Sequence, residues 1–253
     1  TVQGYNVSLN SVITKRYNDY KNYISVNGAV NYSFETNRLR GTLGGRYRFN
    51  AITNAAVWTD FGVKVQQFNK SNPISNLHND ISSLMFESNY IKIYDNQFAK
   101  FGYGMEVFNG LRFSTQLAYE NRKVLFNTTN YTLFPIDDLN YTSNNPLDPE
   151  TVDSSPFTNH NLLKFNLQLG IRFEEKYMSY PDFRYKITSD YPQLYLDYTK
   201  GFNSSVSAYD FDHLSARIQQ NINLKTTGVL EYNITAGTFF NNKKLAFTDY
   251  KHF

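Results

Sequence analysis

Residues 38–50, RLRGTLGGRYRFN, alternate apolar and polar positions without interruption. Leu39, Leu43, Tyr47 and Phe49 fall on one parity, and the four arginines of the segment fall on the other. A period of two puts two such sets on opposite faces of a β-strand. An apolar face opposite a strongly charged one is stable only where something covers it, because exposed apolar surface is costly in water.

Nine further segments repeat this alternation. Most are close to ten residues long, which is the length that a tilted strand needs to cross a bilayer. We therefore expect about ten strands of an antiparallel transmembrane β-barrel, with lipid covering the apolar face. The further segments are residues 5–13, 22–34, 56–66, 98–108, 111–122, 163–174, 193–199, 214–224 and 230–237.

The connections between these segments are of two kinds. Asn109 and Gly110 form a tight turn, whereas the connections near residues 70–95 and 123–160 are long. Outer-membrane barrels have short turns on one side and long loops on the other. Ile81 and Leu84, at roughly helical spacing, predict a short helix in the first long connection, and the second is a polar loop rich in Pro, Asn and Asp. We expect residues 1–253 to form one outer-membrane β-barrel segment.

Composition supports a membrane barrel over a conventional soluble core. Tyr and Phe number 21 each, although only 41% of the chain is hydrophobic and the mean hydropathy is −0.52. A barrel with a polar interior and aromatic girdles has this composition.

The chain has no run of about 18 apolar residues, so the sequence predicts no transmembrane helix. The chain has no cysteine and a net charge of only +3, which gives no case for disulfides, thiolate metal sites or nucleic-acid binding.

Charged residues of both signs recur on the polar parity of the strands. In a closed barrel they would face one lumen, where they could pair across strands and avoid isolated desolvated charge. An arginine-lined pathway for solutes is the other interpretation. The candidate lumen residues are Arg40, Arg46, Arg48, Asp60, Lys64, Lys100, Glu106, Arg112, Glu120, Arg122, Lys164, Arg172, Glu174, Arg217 and Glu231.

The histidines give no catalytic or metal-binding motif. None has the spacing of a metal site, so we expect neither a metal nor a cofactor. His160 follows Ser154 and Ser155, residue types that a hydrolase at the rim of a barrel would use, but no catalytic motif accompanies them and we interpret them as ordinary loop residues. The four histidines are His78, His160, His213 and His252.

Several phrases resemble a Bacteroidota outer-membrane family that is known only as a domain of unknown function. Its members usually carry a signal peptide and a carboxypeptidase-regulatory-like β-sandwich before this domain. The resemblance implies that the chain, which begins at Thr1 without Met or a signal peptide, is an internal part of a longer protein. The phrases are NPIS (72–75), ENRKVLFNTTNY (120–131), YTSNNPLDP (141–149), EEKYMSYPDFR (174–184), YPQLYLDYTKGF (191–202) and AGTFFNNKKLAFTDYKHF (236–253).

The same family is distantly similar to the surface-antigen barrels that insert or export proteins. The chain has no VRGF-like lumen motif of that superfamily, so its transport activity does not carry over. The resemblance implies a barrel that is incomplete in this chain.

We expect a non-enzymatic protein of the bacterial outer membrane, either an accessory subunit of a larger complex or a structural barrel with long surface loops. Its partners would be the lipid bilayer, lipopolysaccharide and other subunits of the complex. The alternative is a barrel for transport or protein insertion with a charged lumen. A water-soluble β-sandwich is a further structural alternative, which the one-sided apolar parity disfavours.

Overall fold

The computed structural model describes residues 2–19, 21–71, 74–136, 140–181, 183–187 and 189–251. Ten strands form one antiparallel sheet, and each strand pairs with the strands that precede and follow it in this sheet. This confirms the all-β antiparallel prediction. The strands are β1 (Asn6–Tyr17), β2 (Asn22–Ser33), β3 (Arg38–Asn50), β4 (Ala55–Gln67), β5 (Ile93–Phe108), β6 (Leu111–Val124), β7 (His160–Arg172), β10 (Gln193–Phe202), β11 (Phe211–Asn223) and β12 (Val229–Phe240).

Smaller elements lie in the connections. The predicted helix is present as α1 (Asn76–Phe86), whose first turn is capped by the Ser75 hydroxyl accepting a hydrogen bond from the His78 N–H. No helix in the described ranges is long and apolar enough to cross a membrane. A separate two-stranded hairpin joins β8 (Tyr177–Ser179) to β9 (Arg184–Lys186). Short 3₁₀ helices span Ser207–Tyr209, Lys225–Thr227 and Phe247–Asp249.

Successive antiparallel strands place their connections alternately at the two ends of the sheet. One end, here the loop end, carries residues 68–92, 125–159 and 203–210 and the segment that follows β12. The other, the turn end, carries residues 18–21, 51–54, 109–110 and 224–228, together with the connection that contains β8 and β9. The long connections expected near residues 70–95 and 123–160 therefore lie at the same end.

The exposure of the two faces is the reverse of that in a water-soluble protein. On β3, Leu39 is 67% exposed, whereas the neighbouring Arg40 is 3% exposed. Val7, Leu9 and Ile13 on β1 are also exposed. Each of β2, β4, β5, β6, β11 and β12 also has at least one large apolar side chain exposed, whereas the apolar parity of β7 and β10 is half-buried. The apolar face of the sheet therefore lacks any covering element among the described residues, and the polar face is the one that folds inward.

The small hydrophobic core lies at the loop end. Phe68, Tyr94, Phe157, Tyr209 and Ala246 are buried together, and they come from four loop-end segments and the start of β5. The rings of Phe68 and Tyr94 have centroids 5.2 Å apart, and those of Phe68 and Phe157 are 6.0 Å apart. These contacts fasten the long connections and the segment after β12 to one another over the loop end of the sheet.

The sheet is interrupted between β3 and β4. Their pairing runs from the turn end only as far as Thr42 and Gly62. Gly62 has φ +139°, a conformation that other residues rarely adopt, and a Cβ there would overlap the Gly41 carbonyl. Beyond this point residues 38–41 pair only with β2, and residues 63–67 pair only with β5.

The sheet ends at β1 on one side and at β12 on the other. Within the described ranges, neither strand has a partner along its outer edge, and nearly all their residues are exposed. Two unpaired edges of 12 residues each leave two rows of backbone N–H and C=O groups without a strand partner.

Candidate functional site

The most deeply buried charge on the polar face is Arg122, near the loop end of β6, which is 0% exposed. Its Nη1 and Nη2 donate to the two carboxylate oxygens of Asp249 at 2.5 Å and 3.0 Å. Its Nη2 and Nε also donate to Glu120 Oε2 at 2.7 Å and 3.0 Å. A guanidinium forms such two-pronged bonds because its N–H groups are fixed in one plane. Thr248 Oγ1 accepts a further bond from Nη1 at 2.8 Å.

Two lysines complete this cluster. Lys164 Nζ lies 3.3 Å from Asp249 Oδ1 and 3.8 Å from Glu120 Oε1. Lys70 Nζ lies 3.7 Å from Asp249 Oδ1. Burial alone would raise the pKa of Asp249, but the charges of Arg122, Lys164 and Lys70 outweigh it and hold that pKa well below its usual value. Asp249 is therefore ionised at neutral pH.

For Lys70, the effect of burial on the pKa outweighs that of the neighbouring carboxylate. Burial lowers its pKa to about 7, and the charge of Lys164 acts in the same direction, although Asp249 opposes both. The pKa of Lys70 is thus lowered, although its side chain is 44% exposed, whereas Asp249 keeps its charge.

Asp249 reaches this position because the chain turns back after β12. The 3₁₀ helix Phe247–Asp249 lies over the polar face, with Phe247 against Phe68 at a centroid distance of 5.6 Å. Thr248 is fully buried. Lys244 N donates to the Ala208 carbonyl at 3.0 Å, which ties the same segment to the connection before β11. The segment after β12 is thus held against the inner face by both ion pairs and apolar contacts.

A second buried group crosses the interruption of the sheet. Asp95 on β5 accepts from Arg40 Nε at 2.8 Å and from Arg38 Nη2 at 2.6 Å, although both arginines are on β3 and β4 lies between the two strands in the sheet order. Asp95 and Arg40 are buried. The Nη1 of Arg40 is also buried and has no hydrogen-bond partner among the residues that the structure describes.

A third cluster fastens the small hairpin at the turn end. Lys186 on β9 lies 2.6 Å from Glu106 on β5 and 2.9 Å from Glu175. Arg172 also contacts Glu175, at 3.1 Å. Burial raises the pKa of Glu175, but hydrogen bonds from Lys186 and Arg172 outweigh it and lower that pKa overall. Arg172 and Glu106 were candidate lumen residues. The partner of Glu106 is Lys186 of the hairpin, and the partner of Arg172 is Glu175, which precedes β8.

Several other candidate cations lie over aromatic rings. Arg46 is 5.3 Å from the Trp58 ring centroid, and Trp58 lies against Gly102, where a Cβ would overlap the indole. Arg48 lies 4.9 Å from Tyr23, and Arg217 lies 4.6 Å from Tyr195. Lys64 and Lys100 both lie 5.0 Å from Phe98. Cations gain from the negative face of an aromatic ring, most of all where water is partly excluded.

The remaining candidates are less enclosed. Asp60 is half-buried opposite Lys100 in the pairing of β4 with β5. Arg112 and Glu231 are exposed on their strands. Glu174, expected on the polar parity of a strand, instead follows the end of β7 at φ +47° and is exposed. The strand ends at Arg172, and the buried carboxylate of this turn is Glu175.

The histidines do not form a recognisable catalytic arrangement. His160 is enclosed by Phe157 and Tyr209, with its Nδ1 2.7 Å from the Thr158 carbonyl oxygen and its Nε2 3.4 Å from Arg122 Nη1. The Ser154 hydroxyl bonds backbone carbonyls instead. Across the described ranges, no group of His, Asp and Glu side chains could hold a metal ion. His252 lies outside the described residues.

Several charged residues of these clusters were not among the sequence candidates, namely Arg38, Lys70, Asp95, Glu175, Lys186 and Asp249. Lys70, Glu175 and Asp249 lie outside the main strands, so the alternation that selected the candidates does not reach them. Asp95 lies on β5, but in a part of the strand that begins before the expected segment at residue 98. Their partners are distant in sequence, and no local signal marks such a contact.

Comparison with known protein families finds a match over the whole chain. The model of a family described as "Family of unknown function (DUF5686) C-terminal domain" matches residues 1–253. No curated protein and no solved structure matches the chain.

Proposed function

We propose that this chain, which belongs to the DUF5686 C-terminal domain family, forms part of the wall of an outer-membrane β-barrel with a non-enzymatic role. That role is structural, or accessory to a larger outer-membrane complex. The observation that carries the proposal is the inverted exposure of the sheet, with apolar side chains outside and charged side chains inside.

A lipid environment accounts for this inversion. Leu9, Leu39 and Phe101, from three different strands, are each more than half exposed on the apolar face. Burying this face in hydrocarbon would recover about 25 cal/mol for each Å² removed from water. Strands of 10 to 16 residues are long enough to cross a bilayer when tilted. The bilayer, including lipopolysaccharide in its outer leaflet, is therefore the partner that we propose for this face.

The inner face supports a structural role over an open channel. Arg122 and Lys164 each form ion pairs with both Glu120 and Asp249, and the segment after β12 lies over them. Long connections also cover the loop end. A charged interior that is paired and covered stabilises a wall and leaves fewer free charges for selecting solutes.

The edges of β1 and β12 support a larger assembly. A strand edge without a partner cannot face lipid, because each unsatisfied backbone group costs several kcal/mol there. In a membrane, these two edges must pair with each other or with further strands. We propose further strands, since β1 and β12 do not pair with each other in this sheet.

The test is fractionation of native membranes, followed by purification in a mild detergent. The proposal expects the protein in the outer-membrane fraction, resistant to carbonate extraction, and with a stable protein partner in the purified material. Recovery in the soluble fraction would refute the membrane placement. A protein that purifies alone would refute the accessory role and leave the structural one.

A transport barrel is the second candidate, and the exposed cations of the turn end favour it. Arg46 and Arg112 are exposed on the polar face. In planar bilayers, a transport barrel would show conductance that Arg46→Ala alters and that Lys15→Ala, on the opposite face of β1, does not. Baseline conductance for the protein and for both variants would exclude an ion-conducting channel.

A further inference from the structure

The interruption between β3 and β4 is an opening in the wall. We define the wall split as the gap between residues 38–41 of β3 and residues 63–67 of β4, where the two strands no longer pair. It lies at the loop end of the sheet. Its position inside the sheet separates it from the free edges of β1 and β12, so further strands at those edges would not close it.

A cavity of about 260 Å³ lies at the wall split. Its lining includes Arg40 and Lys64 from the polar parity and Val63 and Val65 from the apolar parity of β4. A continuous sheet separates these two sets of side chains, since neighbouring residues of a strand face opposite sides. One cavity touches both sets only because the wall is open there. A larger cavity of about 710 Å³ adjoins it and shares Lys64 and Val65.

The polar part of this cavity favours an anion. Arg38, Arg40 and Lys64 are the cations at the split, and Asp95 is the carboxylate that binds the first two, so the group has a net positive charge. The Nη1 of the buried Arg40 is a strong donor without an acceptor in the described part of the chain. Asn76, the first residue of α1, also lines the cavity, and the positive end of a helix dipole adds to the attraction.

The apolar part favours a hydrocarbon chain. Val63 and Val65 lie on the parity that we propose faces lipid, and Val30 on β2 lines the opposite side of the same cavity. A molecule with an anionic head and an aliphatic tail matches both parts, with its head beside Arg40 and Lys64 and its tail between the valines.

We propose that the wall split binds an anionic amphiphile through a phosphate headgroup, with the acyl chain leaving through the gap toward the apolar face. That a bilayer supplies this molecule rests on the proposed function. Binding of the molecule can be measured in detergent solution, so failure to bind and failure of the membrane location are distinguishable results.

The experiment measures binding of dodecyl phosphate to the purified chain in dodecyl maltoside, by titration calorimetry and native mass spectrometry. Dodecyl maltoside has the same dodecyl chain as the ligand, is uncharged and is present in excess. Binding of dodecyl phosphate in its presence therefore depends on recognition of the phosphate group. The proposal expects one dodecyl phosphate per chain. Lys64→Gln should weaken its binding at least about tenfold, as expected for loss of one charge-assisted bond.

Lys100→Gln is the matched control. Lys100 lies at the same distance from Phe98 as Lys64 does, but it does not line the cavity. Its removal should leave the affinity within about twofold. Equal losses in the two variants, with unchanged melting temperatures, would overturn the proposal, since general attraction to the polar face would then explain the binding.

Two further arms test the tail. Val65→Gln should weaken the binding of dodecyl phosphate at least about threefold. Val57→Gln, on the same parity of β4 but away from the cavity, should leave this binding unchanged. Inorganic phosphate should bind far more weakly than dodecyl phosphate. Equal affinity for the two ligands would assign the site to a soluble anion and overturn the amphiphile, as would the absence of any binding.

Discussion

At the scale of single residues, the chain depends on a few buried charges whose partners are distant in sequence. Arg122 is the clearest, because its guanidinium is fully buried and held by Glu120 and Asp249. Taking such groups out of water is costly, so an ion pair of this kind stabilises little compared with apolar packing of the same volume. Removal of one partner is severe, however, because the other charge is left buried and uncompensated.

Asp249→Asn should therefore release the segment after β12 from the polar face. We expect a loss of about 3–5 kcal/mol in the free energy of opening this segment, measured by hydrogen exchange of residues 244–251. Asp153→Asn, at an exposed position of a loop-end connection, is the control and should change exchange little. Unaltered protection in Asp249→Asn would show that the apolar contacts of Phe247 hold the segment by themselves.

Acid should release the same segment in the unmodified protein. The folded pKa of Asp249 lies well below its usual value, so its stabilising contribution is complete above the unfolded pKa near 4. This contribution is lost as the pH falls through the pKa that Asp249 has in the folded protein. A spin label at Lys251→Cys should keep constant mobility from pH 8 to about 5 and become mobile only in stronger acid. Release near pH 6 would point to a different titrating group.

At the scale of elements, the ten long strands were predictable and the short hairpin was not. A period of two that persists for about ten residues is a strong signal, and residues 38–50 form one strand with the expected bounds. β8 and β9 have three residues each, too few to show a period. Their position depends on Lys186 and its two carboxylate partners.

Lys186→Gln should loosen this hairpin. It leaves Glu106 and Glu175 buried with one cation fewer, and we expect a loss of about 1–3 kcal/mol in the local opening free energy, reduced because Lys186 is partly exposed. Hydrogen exchange of residues 177–186 measures it. Lys176→Gln changes an exposed lysine next to β8 and should have little effect. If hydrogen exchange in the hairpin were equally fast in both variants, the ion pairs of Lys186 would not be what positions the hairpin.

At the scale of the whole molecule, the sequence predicted the sheet and its polarity but not the contacts across it. Alternation reports which face a residue occupies, and this is why Arg40, Lys64 and Lys164 were selected. It carries no information on pairs such as Arg122 and Asp249, which chain reversal brings together. The wall split also escaped prediction, because β3 and β4 alternate regularly and their register, set at Gly62, is a property of the pair.

The central claim is that the exposed apolar face meets lipid. The chain has no cysteine, so single spin labels can be placed along β3 after reconstitution into liposomes, at Leu39, Leu43 and Tyr47 on one parity and at Thr42 and Arg46 on the other. The account predicts that collisions with oxygen dominate at the first three positions and collisions with a water-soluble nickel chelate at the other two, with a period of two. Equal access of the nickel chelate to both sets would contradict it.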